Sequence, residues 1–184
     1  MPPPLASHWL LAHPGTPAPA VRELRVTVEP DPAQGGWWLR YTLRAALEAL
    51  RLPPPAAQPG PADGLWRHTC FEAFVGAARG AAYHEFNFSP SGHWAAYAFS
   101  APRQRASAGH LPLAPRLQWR QGVGTLTLDA WLPQGVLPSA NTPHALGLSA
   151  VIETDDGRLS YWALAHPAPQ PDFHHRAGWT ARLP

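Results

Sequence analysis

The strongest constraint on this chain is how often it is interrupted. Proline occurs 24 times and glycine 15 times in 184 residues. Proline breaks a helix interior by removing an N–H and clashing with the preceding turn, so long helices are excluded. What lies between the interruptions alternates with a period of two. Leu24, Val26 and Val28 alternate with Arg25 and Thr27, and Trp37, Leu39, Tyr41 and Leu43 alternate with Trp38, Arg40, Thr42 and Arg44. In a strand successive side chains point to opposite faces, so this pattern marks half-buried strands. Further strands are expected over 69–76, 82–88, 93–99, 115–120, 124–132, 146–153, 159–165 and 179–183. About ten short strands joined by short turns predict an all-β fold, a two-sheet antiparallel β-sandwich of the jelly-roll or immunoglobulin-like kind. The one stretch with helical leanings, Ala45–Leu50, is cut off by Pro53, Pro54 and Pro55.

A chain of this length suits one core, and a single domain over residues 1–184 is expected. All 14 basic residues are arginine, scattered against 12 acidic ones for a net charge of +2. No basic stripe marks a nucleic-acid or membrane-surface role. Cys70 is the only cysteine, which excludes an internal disulfide and a thiolate metal cluster and predicts a small buried side chain. The start of the chain lacks the basic and apolar regions of a signal peptide, and no apolar run spans a bilayer, so a cytoplasmic location is expected.

Residues 63–100 carry the most information. They predict three consecutive antiparallel strands, with turns near Ala77–Ala81 and at Ser89, Pro90, Ser91 and Gly92. Pairing Glu72 with Glu85 and Phe88 with His93 would give one coherent apolar face. The opposite face would then carry Cys70, Glu72 and Phe74, then Tyr83, Glu85 and Asn87, then Trp94, Ala96 and Ala98. In that register two carboxylates stand directly opposite each other, which is destabilising unless an arginine, a shared proton, a metal ion or a ligand offsets the repulsion. Alternatively they are solvated residues forming weak surface ion pairs with Arg67, Arg79 or Arg103. The aromatic neighbours Phe74, Tyr83 and Trp94 point instead to a ligand face.

The second informative segment, 159–179, runs a strand with Tyr161 and Trp162 into a proline-rich loop presenting His166, Asp172, His174 and His175. Their spacing matches no zinc signature, so no metal site is expected, and Phe173 would anchor the loop against the sandwich. No dinucleotide-binding glycine motif, P-loop or nucleophile elbow is present.

Three blocks, DGLWRHTCFEAF at 63–74, YHEFNFSPSGHWAAYAF at 83–99 and SYWALAHPAPQPDFH at 160–174, resemble bacterial DOMON-like proteins, a group similar to family-nine carbohydrate-binding modules. The resemblance implies a β-sandwich whose concave sheet or rim binds a small ligand, a sugar in the carbohydrate-binding relatives and haem in the cytochrome branch. The family's recognisable positions fall on Trp66, Cys70, Glu72, Glu85, Asn87, Pro90, Trp94 and Tyr97, then Trp162, His166, Asp172 and His174, with Arg103 after the third strand. There the chain reads Pro102, Arg103, Gln104, Arg105 where the family has Tyr-Arg-Gly-Met. Met1 is the only methionine, so Met/His haem ligation cannot be built from a core strand, and no cofactor is expected.

The expected function is therefore a non-catalytic module binding a small polar ligand, with carbohydrate favoured. The expected ligand residues are Trp66, Glu72, Tyr83, Glu85, Asn87, Trp94, Arg103, Trp162, His166, Asp172 and His174. Two alternatives are a glycoside-processing enzyme using Glu72 and Glu85 as a carboxylate pair and a protein-interaction domain using the aromatic face.

Overall fold

The computed structural model describes residues 6–106, 109–112, 114–136 and 143–183. Met1 lies outside them. Among the described residues there are thirteen strands: β1 (Ala6–Trp9), β2 (Leu11–Ala12), β3 (Val21–Pro30), β4 (Trp37–Ala45), β5 (Cys70–Ala77), β6 (Tyr83–Phe88), β7 (Trp94–Ala101), β8 (Gln104–Arg105), β9 (Arg116–Gly122), β10 (Thr125–Leu132), β11 (His144–Glu153), β12 (Leu159–Ala163) and β13 (Ala181–Arg182). They pair antiparallel into a five-stranded sheet, β1-β3-β4-β10-β9, and a larger one, β2-β12-β11-β5-β6-β7-β8, with β13 added against β11. The chain is the expected all-β sandwich. Each of the ten expected segments holds a strand. The three unexpected ones, β1, β2 and β8, are two to four residues long, too short for alternation to show. The helical leaning at Ala45–Leu50 is realised as one 3₁₀ turn, Leu47–Ala49. No helix among the described residues is long and apolar enough to cross a membrane.

Period-two alternation builds the core. Leu24, Val26 and Val28 of β3, Leu39 and Leu43 of β4, and Leu126 and Leu128 of β10 line the inner face of the smaller sheet. Phe71, Ala73 and Val75 of β5, Phe86 and Phe88 of β6, and Leu146, Leu148 and Ile152 of β11 face them from the larger sheet. One polar link crosses this layer. The buried Tyr41 hydroxyl donates to the backbone carbonyl of Glu72 over 2.7 Å.

Both central hairpins differ in register from the expectation. In the first, Glu72 pairs with Asn87 and Glu85 with Phe74, a slide of two residues that keeps every side chain on its expected face. This register sets an amide, not a second carboxylate, opposite Glu72, and sets Gly76 opposite Tyr83. A Cβ on Gly76 would come within 3.1 Å of the Tyr83 Cβ, so the glycine makes room for the tyrosine. The second hairpin differs by one residue. Phe88 pairs with Trp94, so the loop runs over five residues, Ser89–His93, with Gly92 at φ 90° and the Ser89 N–H donating to the His93 carbonyl over 2.9 Å. One extra loop residue reverses every side chain of β7. Ala95, Tyr97 and Phe99 therefore join Tyr83, Glu85 and Asn87, whereas Trp94 and Ala96 pack on the main core.

The outer face of the larger sheet is buried as well. Phe74, Tyr83, Ala95, Tyr97, Phe99 and Ala145 form a second apolar cluster with Trp179 from the end of the chain, and Phe173 packs against it. Trp179 stacks on Phe74 at 5.7 Å, over Gly147, where any Cβ would strike the indole.

The cross-sheet hydrogen bond gives a test of this packing. Tyr41→Phe leaves a buried carbonyl short of a donor at the strand position that carries Glu72, and should destabilise the protein by roughly 1–2 kcal/mol in urea titration with an unchanged m-value.

Candidate functional site

Two carboxyl groups define the outer face. Glu72 and Glu85 are only 3% and 6% exposed, so neither is a solvated surface residue. In the observed register they are diagonal neighbours on β5 and β6. The Asn87 side-chain N–H donates to Glu85 Oε1 over 2.9 Å. Burial, reinforced by the charge of Glu85, pushes the Glu72 carboxyl well above the ordinary glutamate range. Glu85 is also raised by burial, but Asn87, Arg105 and Arg103 oppose the rise. Burial therefore favours the neutral form of both carboxyls, and the Asn87 amide and the two arginines counter it at Glu85.

Glu72 sits in the middle of a cross-strand row, with Asn87 on one side and Ser149 of β11 on the other. Glu72 Oε1, Asn87 Oδ1 and Ser149 Oγ are all buried without a hydrogen-bond partner. Buried polar atoms are nearly always paired, so three orphans in one row mark a place that is built for something else.

Glu72, the middle residue of the row, lines a cavity of about 760 Å³, within the size range of small-molecule sites. Glu72, Phe74 and Glu85 form its floor, and Val151 and Tyr161 continue it toward β12. Gln170, Pro171, Phe173 and His174 from the loop after β12 form one wall, and Phe99, Arg103 and Arg105 form another. Trp66, on a 3₁₀ turn at Leu65–Arg67, lies at the rim, 47% exposed.

The two walls are tied together. Arg103 Nη2 pairs with Asp172 Oδ1 at 2.8 Å, and the same oxygen accepts the His174 backbone N–H at 3.0 Å. Tyr83 Oη accepts the Arg103 backbone N–H at 3.1 Å and lies 2.6 Å from His174 Nδ1. Burial and the nearby Arg103 charge lower His174 to about 4, so its ring is neutral at pH 7. With the tyrosine hydroxyl donating to Nδ1, the remaining ring N–H is on Nε2, 3.7 Å from Glu85 Oε2. Pro102 and Arg103 form the tip of the β7–β8 hairpin, where Ala101 pairs with Gln104. Arg103 sits there at φ 61°, alone among the described non-glycine residues in having a positive φ.

The residues expected from the sequence divide into three groups. Trp66, Glu72, Glu85, Arg103 and His174 line the cavity. Tyr83, Asn87 and Asp172 stand directly behind it and hold those groups in place through the hydrogen bonds above. Trp94, Trp162 and His166 are elsewhere. The reversal of β7 turns Trp94 to the core side, Trp162 packs in the core with its N–H donated to Ser160 Oγ at 3.0 Å, and His166 donates to the Leu11 carbonyl at 2.8 Å beside His13. Arg105, Phe99 and Tyr161 reach the cavity without having been expected there. The register of β7 and β8 decides the first two, and Tyr161 was passed over for its neighbour Trp162 because both faces of β12 carry an aromatic ring. Arg105 lies with its guanidinium carbon 3.7 Å from the centre of the Tyr97 ring.

The lining includes one imidazole and no methionine, so it does not fit Met/His ligation of haem. Among the described residues no group of three or more His, Cys, Asp or Glu is placed to hold a metal ion.

No protein-family model matches the chain, and no curated protein does either. A solved structure does match. The crystal structure of a "putative carbohydrate-binding protein" from Bacteroides uniformis ATCC 8492 aligns with a TM-score of 0.68 over 95% of this chain and 84% of that one, at 15% sequence identity. At that identity the likeness is one of fold.

The buried carboxyl pair predicts a pH signature. A carboxyl whose pKa is raised on folding contributes stability below its ordinary pKa and loses it as the pH rises toward the folded value. Glu72→Gln removes this loss, so its stability should gain on that of wild type progressively as the pH rises above the ordinary glutamate range, on the order of 1 kcal/mol per unit of raised pKa. A constant offset between the melting temperatures of the two proteins as the pH rises would show that Glu72 does not titrate abnormally.

Proposed function

We propose that this chain is a non-catalytic binding module for a small polar ligand of the carbohydrate class, seated in the cavity on the outer face of the larger sheet, and that it belongs with the DOMON-like proteins. The observation that carries this reading is a cavity of sugar size lined by the buried Glu72, whose Oε1 has no hydrogen-bond partner and which Asn87 and Ser149 flank across the strands. Sugars combine weakly apolar ring faces with a dense edge of hydroxyls. Trp66, Tyr161 and Phe173 supply flat apolar surface, and Glu72, Glu85, Arg103 and Gln170 supply hydrogen-bonding groups on the remaining sides. The fold shared with the Bacteroides uniformis protein is consistent with such a role.

The register sets Glu72 and Glu85 diagonally across the strands, not directly opposite each other, which is the arrangement the glycosidase reading starts from. Docking through an aromatic face needs that face to be open, and Phe74, Tyr83 and Tyr97 are 1% exposed or less.

Isothermal titration against a panel of mono- and disaccharides tests the proposal. Wild type should bind at least one member, and Trp66→Ala and Glu85→Ala should each weaken that binding by about tenfold or more, the loss of one well-placed contact. Variants that behave like wild type toward every sugar would remove the cavity as the site.

A further inference from the structure

Among the described residues, Glu72 differs from the other carboxyl groups around the cavity in having no charged partner. Glu85 is held by Asn87 and faces the Arg103 and Arg105 guanidinium groups across the cavity. Arg103 is in turn paired with Asp172. Glu72 makes no ion pair with any described residue, and its Oε1 has no hydrogen-bond partner although it is buried. Ionisation of Glu72 would make three carboxylates, with Glu85 and Asp172, against the two guanidinium groups of Arg103 and Arg105, so a charged Glu72 calls for a cation from outside the protein; His174 is neutral.

The neighbours of Glu72 sharpen this. Asn87 Oδ1 only accepts hydrogen bonds, a carboxylate only accepts, and Ser149 Oγ accepts as well as donates. With Glu72 ionised the row is therefore rich in acceptors and one positive charge short. A sugar hydroxyl brings a single donor and no charge. A primary ammonium brings three donors, no acceptor and one positive charge, which matches the deficit on both counts.

We propose that the cavity recognises an amine-bearing sugar, with the ligand's protonated amine seated on Glu72 and its ring against Trp66 and Tyr161. This rests on the carbohydrate reading above and narrows it to a charged class. Burial favours the protonated Glu72 carboxyl; its proton passes to an amine that arrives as the free base, or to water when the ligand arrives as an ammonium, and in both cases the carboxylate forms together with its partner.

The test is calorimetric titration of the full chain at pH 7 with glucose, glucosamine and N-acetylglucosamine. Glucosamine should bind at least about tenfold more tightly than either of the others, since acetylation removes the charge and two of the three donors. In Glu72→Gln that preference should fall to within about twofold, with the circular dichroism spectrum of the wild type. Glucose or N-acetylglucosamine binding as tightly as glucosamine in the wild-type protein would overturn the assignment of an ammonium site and leave the sugar reading standing. Binding of none of the three, with binding of other neutral sugars in the wider panel, has the same meaning. Absence of binding to every sugar would overturn both.

Discussion

The structure turns on the burial of two carboxyl groups on the side of a sheet that, in a simple sandwich, would face water. An ionised carboxylate taken out of water is costly unless it is neutralised, paired or hydrogen-bonded. Glu85 and Glu72 divide these solutions between them. At Glu85 the Asn87 amide and the charges of two arginines oppose the effect of burial, and at Glu72 burial favours the protonated form. The same register that places Asn87 beside Glu72 avoids setting the two acids face to face. Strand pairing and electrostatics thus favour the same alignment, one in which neither has to yield.

The burial itself comes from the last twenty residues of the chain. After β12 the chain leaves the sheet edge and passes over the outer face, where Phe173 and Trp179 cover Phe74 and Tyr83. Gly147 and Gly76 are the places where the sheet makes way for this cover, one under the Trp179 indole and the other beside Tyr83. The covering segment is stitched to the opposite wall through Asp172, Arg103, Tyr83 and His174. Gln170, Pro171, Phe173 and His174 of this segment line the cavity together with Glu72 and Glu85.

Most of the architecture was legible from alternation and proline alone, because strand faces are a local property read from two or three neighbouring residues. The sheets, the core residues of β3, β4 and β5 and the sandwich follow from it. Face assignments survived in β6 even though its partner slid, since a slide of two residues preserves parity. They failed in β7, where a single extra residue in the Ser89–His93 loop sent Trp94 inward and Tyr97 outward. Nothing in the period of the strand registers such an insertion, because β7 has small or aromatic residues at nearly every position. The glutamates, Trp66, Arg103 and His174 were legible as chemistry without a place. That Trp162 packs inward while Tyr161 faces the cavity depends on the pairing with β11, which the sequence of β12 alone does not determine.

Arg103 shows how these levels meet. A β-hairpin tip of two residues calls for a positive φ, and glycine is the residue that takes it without strain. This chain places an arginine there, at a cost of about 1–2 kcal/mol for a side chain in the left-handed region. Replacing it with glycine would relieve the turn and lose the tie to Asp172, and with that the alignment of the covering loop over the glutamates. The backbone N–H of Arg103 is received by Tyr83, whose hydroxyl also meets His174, so the strained turn is fixed from the same side as the neutral imidazole. The strain is therefore confined to a residue whose backbone and side chain each hold a different wall of the cavity. Strained conformations that persist at such positions are sustained by the structure around them, and here that structure is the site.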